Sequence, residues 1–449
     1  ALRKQGIDVR VIIPKYSEIS DHWKLKMKRV WEMTVPVGWR NQYCGVETLT
    51  YKGIPFYFID NEYYFKRPGC YGHFDDGERF AFFNRAVLEV LPYLDFKPDI
   101  IHSHDWHTGM ISTFLHSHYA YHPYYRWIRS VFTIHNLKYQ GIFPYSVLHD
   151  LLNLGDEYFT TDGVEFYGNV SFMKGALNYS DMITTVSPSY ANEIQTPFYG
   201  EGLDGLLRKR RDYLQGILNG LDHHFYNPET DPFIYYPYKD PVEGKKENKK
   251  KLQKVLGLTV DEEIPMVCIV SRLVEQKGME LILGVLEELL THNEFQLVVL
   301  GTGDHRYEEA FRWAGNRFPK KCSVHFSFDE PFSHQIYASS DLFLMPSLFE
   351  PCGIGQLIAM RYGTIPVVRE TGGLRDTVRP YNEYTGEGNG FSFENYNAHD
   401  MMFTLQRAFQ IFKNKAVWPH LVQHAMDNQF VWSASAAQYG EVYRRLVKM

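Results

Sequence analysis

Short apolar runs of strand length alternate along most of the chain with segments whose apolar residues recur at helical spacing. The clearest case lies between residues 341 and 378, where apolar runs at 342–345 and 365–368 are each followed by a loop and a helix-like segment. Repeated strand, loop and helix is the arrangement of a doubly wound parallel sheet. Ligands of such sheets bind at the carboxyl ends of the strands, where both of these loops fall.

The same pattern extends through both halves of the chain. Further strands are predicted at 9–13, 99–102, 131–134, 182–186, 214–218, 266–271, 295–300 and 324–328. Segment 227–243 is rich in proline and tyrosine and shows no periodicity, which is typical of a domain boundary. We therefore predict an N-terminal domain at 1–227 and a C-terminal domain at 228–432. The segment 433–449 is predicted to be a helix that could pack on either domain, and we expect it to pack back on the N-terminal domain.

Composition narrows the class of protein. A chain of 449 residues with 44% hydrophobic and 22% charged residues is expected to form two globular domains. Its net charge of −6 argues against broad nucleic-acid binding. No apolar run approaches the roughly 18–20 residues needed to cross a membrane. The five scattered cysteines favour a reducing compartment and argue against a structural zinc site.

Candidate chemistry in the second half lies at strand ends. Arg272 and Lys277 flank a strand-to-helix junction and could clamp a diphosphate. Glu350 stands beside a glycine in the loop after residue 345, where it could hold hydroxyl groups. Gly372 and Gly373 precede a helix and could offer bare backbone N–H groups to an anion. Ordinary turn glycines and a solvated loop acid are the alternative interpretation.

Two further features of this half bear on nucleotide binding. The turn at 301–304 contains Gly303 and would allow a nucleotide close to the backbone, and Phe328 could stack on a base. Neither GxGxxG nor a Walker lysine motif is present, which disfavours NAD binding and ATP hydrolysis. The basic run 245–254 has the spacing of a solvated helix face.

In the first half, polar residues also follow predicted strands. Asp105, His135 and Asn136 are placed to contact a ligand. The histidines of segment 102–107 resemble a metal cluster, but no second group of ligands has matching spacing, so we predict no metal. The first six residues resemble the last turn of a helix ending at Gly6, so we expect a strand and loop upstream.

Seven motifs occur in the order found in bacterial glycogen synthases and plant starch synthases: HDWH at 104–107, TIHN at 133–136, TTVSPSYANEI at 184–194, ILNGLD at 217–222, SRLVEQKG at 271–278, PSLFEPCG at 346–353 and TGGLRDTV at 371–378. The chain resembles this family over nearly its whole length, although the family's N-terminal strand and Lys-x-Gly-Gly-Leu loop are absent. The resemblance implies a GT-B fold, in which two Rossmann-like α/β domains flank an active site in the interdomain cleft.

The resemblance also implies transfer of glucose from ADP-glucose to the non-reducing end of an α-1,4-glucan, with retention and without a metal or other cofactor. It implies catalytic roles for Arg272, Lys277, Glu350 and His135, donor-binding roles for Asn219, Gly303, Phe328, Cys352, Gly353, Thr371, Gly372 and Gly373, and acceptor-side roles for Asp105 and Asn136.

Two other functions are compatible with these motifs. One is a retaining transferase of the sucrose-phosphate or trehalose-phosphate synthase type, and the other is a glucan-binding homologue without turnover. The implied partners are ADP-glucose or ADP and an α-1,4-glucan such as glycogen or a maltooligosaccharide, with no nucleic acid and no membrane. The motif variants favour the bacterial cytoplasm over the plastid stroma.

Overall fold

The computed structural model describes residues 1–448, which form two compact units. The first unit comprises residues 1–185 and 191–217 together with the chain from Ala436 onward, and the second comprises residues 186–190 and 218–435. The chain passes between the units after Ile217, ahead of the boundary expected at 227. Met449, the last residue of the predicted C-terminal helix, lies outside the described residues.

The first unit contains eleven of the strands in residues 1–448: β1 (Val11–Pro14), β2 (Lys28–Val37), β3 (Arg40–Tyr51), β4 (Ile54–Asp60), β5 (Ile100–His104), β6 (Arg129–Ile134), β7 (Ile142–Pro144), β8 (Glu165–Phe166), β9 (Asn169–Ser171), β10 (Met182–Thr185) and β11 (Leu214–Gly216). These strands form a parallel sheet in the order β11-β10-β6-β5, a mixed sheet in the order β1-β4-β3-β2, and a small antiparallel sheet of β7-β9-β8. All four strands of the parallel sheet were predicted from the sequence.

The helices that begin in this part of the chain are α1 (Asp21–Lys24), α2 (Glu62–Phe65), α3 (Asp76–Val90), α4 (Met110–His116), α5 (Val147–Asp150), α6 (Phe172–Tyr179), α7 (Pro188–Glu193) and α8 (Asp204–Lys209). Short 3₁₀ turns occur at Leu2–Gln5, Leu91–Tyr93, Trp106–Thr108, Asp156–Tyr158 and Arg211–Tyr213. Gly6 follows the first turn with φ 79°, as the sequence predicts for a residue past a helix end.

The second unit is built on one parallel sheet of six strands: β12 (Met266–Val270), β13 (Gln296–Leu300), β14 (Cys322–His325), β15 (Leu342–Met345), β16 (Ile365–Arg369) and β17 (Phe391–Phe393). Their order is β14-β13-β12-β15-β16-β17. The order reverses between β12 and β15, and in open α/β sheets this switch point is where ligands bind.

The helices of the second unit are α9 (Pro241–Leu256), α10 (Met279–His292), α11 (His305–Arg317), α12 (Glu330–Ser339), α13 (Gly355–Arg361), α14 (Gly372–Thr377), α15 (Ala398–Lys413) and α16 (Trp418–Met426), with a 3₁₀ turn at Glu275–Lys277. A single buried apolar cluster includes residues of β12, β13, β15 and β16 and of the helices that flank them. Helix α17 (Trp432–Val447) follows.

Helix α17 buries one apolar face within the first unit. Tyr439, Val442 and Leu446 are buried in one cluster with Val131 of β6 and Met182 of β10. Burial of each such side chain stabilises the fold by about 1.5–3 kcal/mol relative to exposure. The last helix is therefore part of the core of the first unit.

The prediction that the basic run of α9 forms a solvated face is wrong for two lysines. Lys245 is buried, and its Nζ donates to the carbonyl oxygens of Tyr337, Ala338 and Tyr362 and to the hydroxyl of Thr364. A second buried lysine of the run, Lys249, pairs with the Asp341 carboxylate at 2.6 Å. Helical spacing placed these lysines on one face of α9, but the acceptors that bury them lie far away in sequence.

The described residues contain no candidate for a transmembrane helix. None of the helices within residues 1–448 has both the length and the apolar content that crossing a bilayer requires.

Candidate active site

The loops that follow β12 and β15 meet at the switch point of the second unit. Lys277 lies after β12, and Glu350 lies after β15. The Lys277 Nζ donates to Glu350 Oε2 at 2.6 Å, and the Ser347 hydroxyl donates to the same oxygen at 3.1 Å. Both side chains of the pair are largely buried, with 13% and 8% of their surfaces exposed. Two residues from separate sequence motifs are therefore held in direct contact.

Arg272 lies in the same loop after β12, two residues past the end of the strand. Its side chain is exposed, and no acidic residue within the described range pairs with it. An arginine without an acidic partner can present two parallel N–H groups to a phosphate. At this junction the ammonium group of Lys277 is already paired with Glu350, whereas the guanidinium of Arg272 has no acidic partner within the described range.

Cys352 and Gly353 continue the loop that carries Glu350. Burial raises the pKa of the Cys352 thiol to about 12, although a backbone hydrogen bond from Asn219 acts in the opposite direction. The thiol is therefore neutral at pH 7. Gly353 has φ 75°, and a Cβ atom there would lie 2.5 Å from Gln356 Oε1. The structure thus brings the backbone of Asn219 into contact with the Cys352 thiol, next to Gly353.

The interpretation of Gly372 and Gly373 as a source of bare N–H groups is wrong for Gly373. Its N–H donates to the carbonyl oxygens of Glu350 and Pro351 at 3.1 and 3.2 Å. A Cβ atom would lie 1.9 Å from the Glu350 oxygen at position 372, and 2.0 Å from the Cys352 oxygen at position 373. The glycines therefore let the loop after β16 lie directly against the Glu350 loop. Thr371, the residue before α14, is buried beside them.

Gly303 has a similar structural role. Its N–H donates to Glu308 Oε1 at 2.9 Å, and it forms a bridge with Leu273 next to Arg272. A Cβ atom at this position would lie 2.0 Å from the Leu273 carbonyl oxygen. The glycine therefore lets the loops after β12 and β13 approach each other.

Phe328 lies in the loop between β14 and α12, because β14 ends at His325 and not at 328 as predicted. Its ring is 93% exposed. A large exposed aromatic at the carboxyl end of a parallel sheet is free to stack on a planar ligand.

In the first unit, Asp105, His135 and Asn136 meet where β5 and β6 end. The His135 backbone N–H donates to Asp105 Oδ1 at 2.8 Å, and Asn136 makes a second backbone hydrogen bond to this carboxylate. Burial raises the pKa of Asp105 despite these contacts. Asp105 also has φ 57° and ψ 175°, a region that is almost restricted to glycine. Backbone strain of this kind is concentrated at functional sites.

Sequence reasoning missed three residues that support these side chains. Gln356 is buried, and its amide donates to the carbonyl oxygens of Cys352 and Gly353 and to the Thr377 hydroxyl. Ser347 holds Glu350, and His104 faces His135. Ser347 and His104 lie within quoted motifs and Gln356 lies outside them, but the partners of all three are set by tertiary contacts that the sequence does not show.

The histidines of segment 102–107 do not converge on one point. Both ring nitrogens of His102 are engaged by Tyr443 and Thr133, and the His107 ring stacks on Trp106 with 4.0 Å between ring centres. Among residues 1–448, no group of three or more His, Cys, Asp or Glu side chains is arranged to hold a metal ion. Catalysis without a metal remains a prediction.

Two Rossmann-like α/β units, with a lysine–glutamate pair at the switch point of the second, define a glycosyltransferase of the GT-B class. The family model described as "Starch synthase catalytic domain" matches residues 1–209, and "Glycosyl transferases group 1" matches residues 249–411. The chain belongs to the glycogen synthase and starch synthase family, as the sequence resemblance predicted.

Individual relatives support this assignment. Glycogen synthases from Geobacillus thermodenitrificans and Desulforamulus reducens are each 57% identical to the chain, covering 100% and 99% of it and 92% and 93% of their own lengths. The catalytic domain of Starch Synthase IV from Arabidopsis thaliana, solved bound to ADP and acarbose, superposes with a TM-score of 0.90 at 35% identity, over 100% of this chain and 94% of that one. Sucrose-phosphate synthase from Thermosynechococcus elongatus, at 16% identity, a TM-score of 0.61 and coverage of 100% and 91%, shares the fold.

Proposed function

We propose that the protein transfers glucose from ADP-glucose to the non-reducing end of an α-1,4-glucan, with retention of configuration. The observation that carries the proposal is the cluster of Arg272, Lys277 and Glu350 at the switch point of the second unit. The ADP and acarbose bound to the related starch synthase support a nucleotide donor and a glucan acceptor. The 57% identity to bacterial glycogen synthases supports the same reaction.

Charge explains why two cations belong at this position. When the bond between glucose and the diphosphate breaks, negative charge develops on the phosphate oxygens. The ammonium group of Lys277 has three donors, so it can keep its hydrogen bond to Glu350 and still donate to a phosphate oxygen. Among residues 1–448, the guanidinium of Arg272 has no acidic partner that it must release before it binds the same group. Preorganised donors of this type typically lower a barrier by roughly 3–4 kcal/mol each.

The remaining residues of the second unit are proposed to hold the donor. The Glu350 carboxylate accepts from hydroxyl groups of the glucose, beside Cys352, Gly353 and Asn219. The loop of Thr371, Gly372 and Gly373 keeps the Glu350 loop in place through the hydrogen bonds of Gly373. Phe328 stacks on the adenine, and Gly303 shapes the adjoining turn. In the first unit, His135 faces the donor glucose, and Asp105 and Asn136 lie on the acceptor side.

Retention is proposed to proceed by attack of the acceptor on the side that the diphosphate leaves. Double displacement in retaining hydrolases needs a carboxylate that is free to act as a nucleophile. In this protein Glu350 is engaged by Lys277 and Ser347, and Asp105 by the backbone N–H groups of His135 and Asn136. Isolation of a glucosyl adduct on either carboxylate would overturn this mechanism.

The two cations are proposed to replace a divalent ion, so turnover should survive treatment with EDTA.

Bacterial relatives and the free cysteines Cys44, Cys70, Cys268, Cys322 and Cys352 support the bacterial cytoplasm as the site of action.

Substrate screening tests the reaction. ADP-glucose and UDP-glucose are each offered with glycogen, maltooligosaccharide, fructose 6-phosphate and glucose 6-phosphate, and released nucleotide and product are measured. The proposal predicts glucan extension with ADP-glucose and no product from either sugar phosphate. Sugar-phosphate products would instead indicate a synthase of the sucrose-phosphate or trehalose-phosphate type. Glucan binding without nucleotide release would indicate a non-catalytic homologue.

A further inference from the structure

A chain of hydrogen bonds in the first unit connects α17 with the neighbouring strands β5, β6 and β10. The Tyr443 hydroxyl of α17 lies 2.6 Å from His102 Nδ1, and His102 Nε2 lies 2.6 Å from the Thr133 hydroxyl. The Thr133 hydroxyl is in turn 2.6 Å from that of Thr184 on the adjoining strand. Burial, followed by the neighbouring rings of His104 and His135, holds the pKa of His102 well below its usual value. His102 is therefore neutral and fixed between two hydroxyl groups.

The ring of His104 stacks on the ring of His102. The two imidazoles are stacked with 4.4 Å between their centres and 22° between their planes. The backbone of His104 is held by Thr108, whose hydroxyl accepts from the His104 N–H at 2.6 Å and donates to the His104 carbonyl at 2.8 Å. Both the backbone and the ring plane of His104 are thus set by neighbours within the first unit.

His104 in turn contacts the ring of His135. The distance from His104 Nδ1 to His135 Nε2 is 3.0 Å, and His135 is also held through its backbone N–H by Asp105 Oδ1. Two N–H groups cannot face each other at hydrogen-bond distance, so one of these nitrogens donates and the other accepts. The proton between the two rings therefore decides whether His135 Nδ1 is a donor or an acceptor toward a ligand.

We propose that His104 is a positioning residue that fixes the ring orientation and the tautomer of His135, and that His102 and Tyr443 hold His104 in place. The inference rests on the proposed function, in which His135 faces the donor glucose. The motif HDWH does not show this role of His104, because its ring contacts another histidine and not a substrate.

Three variants separate the contacts. His104→Phe keeps a planar ring for stacking on His102 but removes Nδ1. His104→Asn keeps a polar atom near the position of Nδ1. Tyr443→Phe removes only the hydroxyl that holds His102. The exposed His420 of α16 provides the control substitution His420→Asn.

The first readout is ¹⁵N NMR of the histidine rings, which distinguishes the two neutral tautomers directly. We expect one tautomer of His135 in the wild-type protein and in His420→Asn, and a mixture in His104→Phe. Steady-state kinetics is the second readout. Since misplacement of a reacting group by about 1 Å can cost up to 10²-fold, kcat should fall by about 10- to 10²-fold in His104→Phe. His104→Asn should recover most of this loss, and Tyr443→Phe should show a smaller one.

A single His135 tautomer in His104→Phe, or an unchanged kcat, would overturn the inference. ADP affinity of the second unit and the thermal midpoint verify that each variant is folded. His135→Asn separates a failure of the role proposed for His135 from a failure of the positioning role proposed for His104. If this variant retains turnover, the role proposed for His135 fails even where the NMR result stands. If it loses turnover while His104→Phe leaves the His135 tautomer unchanged, only the positioning role fails.

Discussion

The Nζ atom of Lys277 lies 2.6 Å from Oε2 of Glu350, which joins the loop after β12 to the loop after β15. Both side chains are largely withdrawn from water. An ion pair in such surroundings costs desolvation of both charges and is retained only where its geometry is good. The pair lies where the strand order of the second unit reverses, and ligands of open α/β sheets bind at such points. We therefore assign it a role in the proposed reaction.

Removal of the Lys277 ammonium is predicted to abolish most turnover. Lys277→Ala should lower kcat by about 10²–10³-fold, because one preorganised charge is lost from the leaving diphosphate. Glycogen affinity should be nearly unchanged. The exposed Lys251 of α9 provides the control substitution Lys251→Ala. Turnover equal to that of the control would eliminate the proposed role of Lys277.

The two members of the pair should also be energetically coupled. Lys277→Met alone leaves the Glu350 carboxylate buried without its partner, and such a loss typically costs about 3–5 kcal/mol. Glu350→Gln in the same chain removes that unpaired charge. We therefore expect the double variant to be more stable than Lys277→Met when the free energy of unfolding is measured in urea. Additive effects would show that the contact is not formed in solution.

Close contact between the loops predicts a sharp difference between two glycines. Gly373→Ala would place a Cβ atom 2.0 Å from the Cys352 carbonyl oxygen, so the Glu350 loop must move. ADP-glucose affinity and thermal stability should both fall. Gly284→Ala is the control, because its Cβ would meet only Ala398 Cβ at 3.5 Å, at an exposed position of α10. That change should be neutral or stabilising by up to about 1 kcal/mol. Equal effects of both substitutions would contradict the tight apposition.

The exposed ring of Phe328 predicts an effect on binding without an effect on stability. Stacking of a base on an aromatic ring is worth about 1–3 kcal/mol. Phe328→Ala should therefore weaken ADP binding by about 5- to 150-fold in calorimetry and leave the thermal midpoint unchanged, since the ring is 93% exposed. Phe328→Tyr should bind ADP as the wild type does. Unaltered ADP affinity in Phe328→Ala would place the adenine elsewhere.

A buried pair away from the proposed site predicts a pH-dependent contribution to stability. The His334 Nδ1 lies 2.6 Å from Asp231 Oδ2, with both side chains fully buried. Burial disfavours both charges, but the hydrogen bond and mutual attraction of the pair outweigh it, so the pKa of Asp231 is lowered and that of His334 is raised, with a further contribution to His334 from Glu330. The contribution of His334 is complete below about pH 6.5 and is lost as pH rises through its raised pKa, whereas that of Asp231 is present above about pH 3.9 and is lost as pH falls through its lowered pKa.

The pair should therefore stabilise the fold most between about pH 4 and 6.5. His334→Gln is expected to lower the free energy of unfolding by about 1.5–3 kcal/mol at pH 5.5 and by less at pH 9. Urea unfolding at both pH values measures the difference, with the exposed His420→Gln as control. A loss independent of pH would mean that the imidazole is not charged in the folded protein.

Five of the six strands of the second unit were predicted from the sequence, because buried strands of a parallel sheet give continuous apolar runs, whereas the short strand β17 was not predicted. Leu342–Met345 was predicted at its observed limits. Predictions that depended on contacts distant in sequence were less successful. Helical spacing could not show that Lys245 meets carbonyl groups of α12, nor that the N–H of Gly373 is bonded to Glu350.

The candidate residues followed from motifs, and their pairing did not. Strand ends indicated that Lys277 and Glu350 share one edge of a sheet, yet a diphosphate clamp and a sugar-binding acid were expected as separate features. The contact between His104 and His135 was missed for a related reason. Their strands β5 and β6 are neighbours in the sheet, but the sequence alone gives neither the register of two strands nor the direction of a ring.

The most direct test is a crystal structure of the protein with ADP. We expect the diphosphate at the carboxyl ends of β12 and β15, with phosphate oxygens within hydrogen-bond distance of Lys277 Nζ and the Arg272 guanidinium. A diphosphate bound elsewhere, or one bridged to the protein by a divalent ion, would contradict this expectation.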